Sequence, residues 1–266
     1  MKAELLSLEG KKEKEITLPE QFTEEYRPDV IKRAVLAIQA NKRQPYGAKA
    51  TAGIRASAEL SRRRRQYRGS YGKGISRVPR KIMTRRGLHM NWVGAFAPGT
   101  VGGRRAHPPK AEKDWTQKIN NKERRLAIRS AISATAMKEV VEQRASFTKV
   151  PVIVADGLEK LAKTRDVEAL MNALGMQKEL ERISVRKMRS GKGKTRGRRY
   201  KTKKSLLFVV SGKCALEKAA KNLAGVDVAQ VKSLNAELLA PGAVAGRLTV
   251  WSEKAVEMLG KEKLFI

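Results

Sequence analysis

Val150-Pro151-Val152-Ile153-Val154-Ala155 (VPVIVA) is a short, unbroken apolar run rich in β-branched side chains. Such a run suits a strand covered on both faces, because a strand with one wet face would alternate apolar and polar residues. Reading outward toward the C-terminus, residues 164–174 carry helical spacing and stop at Gly175. Residues 206–210 (LLFVV) repeat the buried-strand signature, and residues 215–223 return to helix. Residues 226–228 and 248–251 are two further strand candidates, and residues 252–259 close as a helix. Strands alternating with helices require crossover connections, so the chain is expected to be α/β, with a mostly parallel sheet and helices on both faces.

Reading outward toward the N-terminus, residues 126–141 (LAIRSAISATAMKEVV) set Ile128, Ile132, Ala136 and Val140 four apart, which predicts one long helix. Asn120, with Glu123 three residues on, predicts a capping box at its start. Pro28 fits a first helical position, and Ile31, Ala34, Val35 and Ile38 follow on one face as far as Asn41. Residues 5–18 (LLSLEGKKEKEITL) predict a hairpin turning at Glu9-Gly10.

Between these core segments lie two stretches of a different kind. Residues 42–110 hold 18 lysines and arginines against the single acid Glu59, with 10 of the 21 glycines and 5 of the 9 prolines. Residues 182–213 hold 13 lysines and arginines and no acid. The two windows contribute +17 and +13 of the net +32, and the other 165 residues are nearly neutral. The expected organisation is therefore a globular α/β body from residues 1–41 and 111–266. It is interrupted by a long extended basic loop at 42–110 and a second, shorter basic loop at 182–205.

Residues 42–110 have almost no apolar periodicity and cannot bury enough surface to offset the entropy of ordering. They need a polyanion to fold against. The candidate RNA-binding cations on the long loop begin with Lys42, Arg43, Lys49, Arg55, Arg62, Arg63, Arg64 and Arg65. They continue with Arg68, Lys73, Arg77, Arg80, Lys81, Arg85, Arg86, Arg104, Arg105 and Lys110. On the second loop they are Arg186, Lys187, Arg189, Lys192, Lys194, Arg196, Arg198, Arg199, Lys201, Lys203 and Lys204. Arginine presents a planar fork that meets a phosphate at two points and stacks on exposed bases. Tyr46, Tyr67, Tyr71, Trp92 and Phe96 are placed among the cations to stack on unpaired bases. Nothing resembles a groove-reading helix with a dimer partner, which favours RNA over duplex DNA. A 69-residue excursion, out and back, reaches roughly 100 Å if both legs are extended.

Other chemistries find little support. His89 and His107 both lie in the basic stretch, and one cysteine, Cys214, makes neither a zinc set nor an internal disulfide. A reducing, cytoplasmic setting is expected, without a membrane, since no run approaches 18 apolar residues. Gly191-Lys192-Gly193-Lys194-Thr195 contains GKT, but Met188 stands where a phosphate loop needs glycine. A glycine hinge between cations accounts for it better. Asp156 follows the VPVIVA strand, and turn or cap chemistry explains it more economically than a ligand. No catalytic residue, metal site or cofactor is expected.

The combination resembles the large-subunit ribosomal protein four family, archaeal and eukaryotic type. The stretches that carry the resemblance are 77–80 (RVPR), 104–113 (RRAHPPKAEK), 121–136 (NKERRLAIRSAISATA), 188–199 (MRSGKGKTRGRR) and 222–251 (NLAGVDVAQVKSLNAELLAPGAVAGRLTVW). They run in order along most of the chain. The resemblance implies a monomeric constituent of the large ribosomal subunit, bound to its rRNA and to neighbouring proteins. It also implies a loop whose tip, within residues 62–90, lines the exit tunnel beside the nascent polypeptide. Tyr67, Arg68, Tyr71, Lys73 and Arg77 are then the tip candidates. Arg104, Arg105, His107 and Lys110 fall on the returning leg, and residues 186–204 form a second RNA contact. Ala243 stands where the family often has a second glycine after Pro241-Gly242, so a slightly different turn is expected there. The competing readings are an RNA-modifying enzyme with a basic insertion and a free nucleic-acid chaperone.

Overall fold

The computed structural model describes residues 1–66, 69–87, 89–147 and 149–266. Its contacts divide the chain into two units, Met1–Lys42 with Thr116–Ile266, and Arg43–Trp115.

The first unit is built on a six-stranded sheet. The hairpin of β1 (Lys2–Leu6) and β2 (Lys12–Thr17) forms one antiparallel edge. After α1 (Pro28–Asn41), the second unit contributes a hairpin of β3 (Arg80–Arg86) and β4 (His89–Gly94). The first unit resumes with α2 (Asn121–Ala136), α3 (Lys138–Glu142), β5 (Val152–Val154), α4 (Thr164–Ala173) and α5 (Gln177–Ser184). The two-residue strands β6 (Lys187–Met188) and β7 (Tyr200–Lys201) pair with each other. Then come β8 (Leu207–Val210), α6 (Leu216–Lys221), β9 (Asp227–Gln230), α7 (Ala236–Leu239), β10 (Thr249–Ser252) and α8 (Glu253–Lys261). The strand order is β2-β1-β5-β10-β8-β9, and every pairing except β1 with β2 is parallel.

The strand runs were read as buried on both faces, and the core shows how. Alternate residues of β5, β8 and β10 serve opposite layers. Ile153, Leu207, Val209 and Trp251 face a cluster completed by α1, α2, α7 and α8. Val152, Val154, Phe208, Val210 and Val250 face a second cluster with α3, α4 and α6. Trp251 is fully buried and meets Phe22 edge-on at 5.1 Å between ring centroids.

Two helix predictions need correction. Residues 126–141 do not form one helix, because Met137 takes an extended conformation (ψ 113°) and Val140 belongs to α3. Ser133 and Thr135 donate their hydroxyls back to the Ser130 and Ile132 carbonyls, which weakens the last turn of α2. The capping box also does not form, since the Asn120 side chain makes no cap hydrogen bond. Glu123 turns instead to Arg33 of α1, 3.1 Å away. Helix α5 has no counterpart among the sequence expectations. Asp156 does act as a cap, but for another element: its carboxylate accepts from the Lys254 N–H in the first turn of α8 and pairs with the Lys254 ammonium.

Where the long loop leaves and rejoins the body, Asn41 closes the gap with two hydrogen bonds. Its Oδ1 accepts from the Gln117 N–H at 2.8 Å, and its Nδ2 donates to the Gln117 carbonyl. At the turn that follows Pro241, Gly242 and Ala243 both adopt left-handed conformations, with φ of 80° and 65°. Ala243 thus keeps a geometry that glycine would adopt more easily.

Candidate nucleic-acid interface

The unit Arg43–Trp115 has almost no core. Ala95 is the one buried apolar side chain among its described residues. Order comes from backbone contact between the outgoing and returning legs. The Ala48 N–H donates to the Pro109 carbonyl at 2.9 Å. Gly47 lies against Ala111, where a Cβ would come within 2.7 Å of its backbone nitrogen. Gly53 (φ 75°) lies against Arg104, and a Cβ there would stand 2.5 Å from backbone atoms. The glycines are therefore what lets two legs this cationic run side by side.

Farther out, β3 and β4 pair Arg80 with Gly94, Ile82 with Trp92 and Arg86 with His89, with an irregularity between Ile82 and Thr84. This hairpin was not expected, because neither face is buried and so no apolar alternation marks it. A bridge from Glu59 to Arg80 adds a third chain segment beside it.

The cations and aromatic rings assort into pairs. Tyr71 has the Arg64 and Arg77 guanidinium groups at 5.2 and 4.9 Å from its ring centroid. Lys73 stands 4.6 Å from the Trp92 ring. Tyr46 stacks on Trp115 at 5.7 Å with 17° between planes. Arg43 and Lys113 contact that same Trp115 ring at 3.7 and 4.4 Å. Each such contact contributes about 0.5–1 kcal/mol when exposed. Three tip candidates, Tyr71, Lys73 and Arg77, thus enter aromatic–cation groups, while Tyr67 and Arg68 lie outside the described residues. A cavity of about 830 Å³ brings Arg105, His107 and Lys110 together with Tyr46 and Lys113. A second, of about 640 Å³, gathers Lys49, Arg104, Arg105 and Lys110. Lys42, Arg55, Arg62, Arg63, Arg65, Lys81, Arg85 and Arg86 remain on the surface or partly exposed outside these groups. Trp115 and Lys113 were missed. Both lie past residue 110, where the dense basic run had ended, and the signal available was an aromatic flanked by Lys113 and Lys118.

The second basic loop leaves the body as β6 and returns as β7. Its tip turns through Lys194–Arg196, and the Arg189 N–H donates to the Arg199 carbonyl at 2.8 Å. All eleven of its candidate cations are exposed except Lys203, which is partly so. Gly191 and Gly197 take left-handed conformations, which a side chain would disfavour.

Its root is fixed by a buried ionic network. Arg247 is 1% exposed and donates to the carbonyls of Leu238, Leu206 and Ser205, and at 2.6 Å to the Asp227 carboxylate. Lys204 also donates to Asp227, at 2.7 Å. Burial pushes the Asp227 carboxyl up, but the hydrogen bonds from Lys204 and Arg247 outweigh it and hold the group below the ordinary carboxylate range. Glu179, more deeply buried than Asp227, accepts from Arg182 and from the Ser205 hydroxyl, and these hydrogen bonds outweigh its burial and hold it below the ordinary range too. Among the described residues no group of three His, Cys, Asp or Glu side chains is placed to hold a metal.

An α/β body with two cation-dense excursions, the second rooted in a buried ion-pair network, is a build suited to a polyanionic partner. The sequence profile of the Ribosomal protein L4/L1 family matches residues 16–262. The chain belongs to that family, which is one of structural proteins and not of enzymes. It is 52% identical over 267 residues to large ribosomal subunit protein uL4 of Nanoarchaeum equitans, covering 100% of both chains. It is 49% identical to the uL4 of Archaeoglobus fulgidus, over 98% of this chain and 99% of that one. To the uL4 of Halobacterium salinarum it is 45% identical, over 97% and 98%.

Proposed function

We propose that the chain is a structural constituent of the large ribosomal subunit, in the cytoplasm, that binds large-subunit rRNA through its two basic excursions. The carrying observation is the separation of charge from core. Nearly all the net charge lies at residues 42–110 and 182–213, and the long excursion buries a single apolar side chain among its described residues. Such a segment gains its order from phosphate contacts, and the paired legs and aromatic–cation groups are the surfaces that would receive them. In this reading residues 42–110 penetrate the rRNA as one element. Tyr67, Arg68, Tyr71, Lys73 and Arg77 line the exit tunnel beside the nascent chain, and residues 182–205 make the second contact. The protein serves as a single copy per subunit beside neighbouring ribosomal proteins.

The test is binding of the purified chain to large-subunit rRNA across a salt series. Each neutralised phosphate steepens the log–log slope by roughly 0.7 to 0.9, so contacts in the tens predict a very steep loss of affinity. Binding that is equal at low and high salt would contradict the reading. A free chaperone would sediment away from the large subunit after a moderate salt wash, whereas this chain is expected to stay with it. For the tunnel assignment, a photo-crosslinker at position 71 or 77 should capture the nascent chain of a stalled ribosome. Capture of rRNA alone would refute it.

A further inference from the structure

We infer that the body carries a built pocket for one nucleotide's phosphate and sugar at the root of the second basic loop. This rests on the RNA-binding reading and gives that reading a specific seat. Arg144, Arg182, Lys187, Lys201, Lys203 and Lys204 line a cavity of about 580 Å³, and no acid lines it. That volume lies within the usual range for small-ligand sites. Arg144 comes from the body and Arg182 from α5 at the start of the second basic window, and neither is among the cations named above as RNA-binding candidates.

Three features point to an anion. First, Lys187 and Lys201 are direct cross-strand partners in the β6–β7 ladder. Like charges placed opposite one another destabilise a ladder, and an anion between them removes that cost. Second, the nearby carboxylates are already committed, Glu179 to Arg182 and Asp227 to Arg247 and Lys204. Among the described residues no ion pair reaches Lys187, Lys201 or Lys203. Third, Arg144 is held in place rather than mobile, since its guanidinium donates to the Val244 and Pro241 carbonyls. Burial first, and then the neighbouring Arg247 and Arg182 charges, lower its pKa against an opposing pull from Glu179. Pro241 and the exposed Val244 complete the wall with an apolar surface suited to a ribose. A simple phosphate hole would not need that surface.

The test uses the full-length chain and an amine-reactive acylating reagent, with each lysine read by mass spectrometry. It is run alone, with inorganic pyrophosphate, and with a short single-stranded oligouridylate. Both ligands are expected to slow acylation of Lys187 and Lys201 several-fold, and pyrophosphate is expected to leave Lys192 and Lys194 on the loop tip little changed. Equal slowing at the tip by pyrophosphate would indicate diffuse attraction and overturn the pocket. Protection by pyrophosphate but not by the oligonucleotide would leave an inorganic-anion site and overturn the RNA assignment. The exposed pair K187Q/K201Q should lower the salt slope of rRNA binding by about 0.7 to 0.9, the share of the one phosphate seated between the two lysines. An unchanged slope would overturn the proposal. Wild-type rRNA binding measured alongside separates the two failures: lost binding sinks the ribosomal reading, while intact binding without lysine protection sinks only the pocket.

Discussion

The body and the long basic loop reach order by opposite means. The body closes two apolar layers over its sheet, with Trp251, Phe208 and Ile153 fully buried. The loop closes none. It relies on glycine-mediated contact between its legs, on an exposed hairpin, and on cations resting against Tyr71, Trp92 and Trp115. An isolated two-stranded hairpin is marginal in water at best. The comparison teaches that within one chain stability and function can be assigned to different residues. Burial holds the scaffold, and under the proposed function the loop surface is left to be stabilised by the rRNA it meets.

The comparison can be broken most forcefully by removing residues 45–109. Affinity for rRNA should fall by several powers of ten, while the remaining body still unfolds in one cooperative transition, as followed by circular dichroism in urea. The Asn41–Gln117 hydrogen bonds already close the gap within the body. A molten or insoluble product would contradict the separation. Next in size, Trp251→Ala should cost the body about 3–5 kcal/mol in denaturant unfolding, whereas Trp92→Ala in the loop should leave that transition unchanged.

Asp227→Ala tests the buried network. It strands the Arg247 charge and should cost roughly 3–5 kcal/mol. Both Asp227 and Glu179 are held below their ordinary range. Their contribution is therefore present above the unfolded-state values near about 4 and is lost as pH falls through the lower folded values. Wild-type stability should drop as pH falls below about 5, toward and through the lowered folded values, and the drop should shrink in Asp227→Ala. At the small end, Gly53→Ala should weaken rRNA binding by separating the legs, with the body unchanged within about 0.5 kcal/mol. Ala243→Gly should stabilise the body by about 0.5–1 kcal/mol, because the left-handed backbone at this position disfavours a Cβ.

These contrasts also decide what could be read from sequence. The strands at 150–155 and 206–210, the Glu9-Gly10 hairpin and the Pro28 helix were legible because burial imposes a period and turns impose residue types. The break at Met137 was not, since Ser133 and Thr135 compete for carbonyls without disturbing the four-residue spacing. Nor was the failed cap, because Arg33, distant in sequence, claims Glu123. The basic loops were legible as charge, but their geometry was not. The β3–β4 hairpin has no buried face to produce alternation, and the contact of Gly53 with Arg104 joins positions with no sequence relation. Arg144 was invisible as a pocket residue because it sits alone among body residues, and only the fold brings it beside Lys187 and Lys201.

The central claim is that the loop's order depends on a polyanion and the body's does not. Amide hydrogen exchange on the full chain, free and bound to large-subunit rRNA, tests it most directly. In the free chain the amides of β8 and β10 should exchange only through global unfolding, while those of β3 and β4 exchange nearly unprotected. With rRNA bound, β3 and β4 should slow by orders of magnitude and β8 and β10 should change little. If β3 and β4 were as protected as β8 in the free protein, the account would be contradicted.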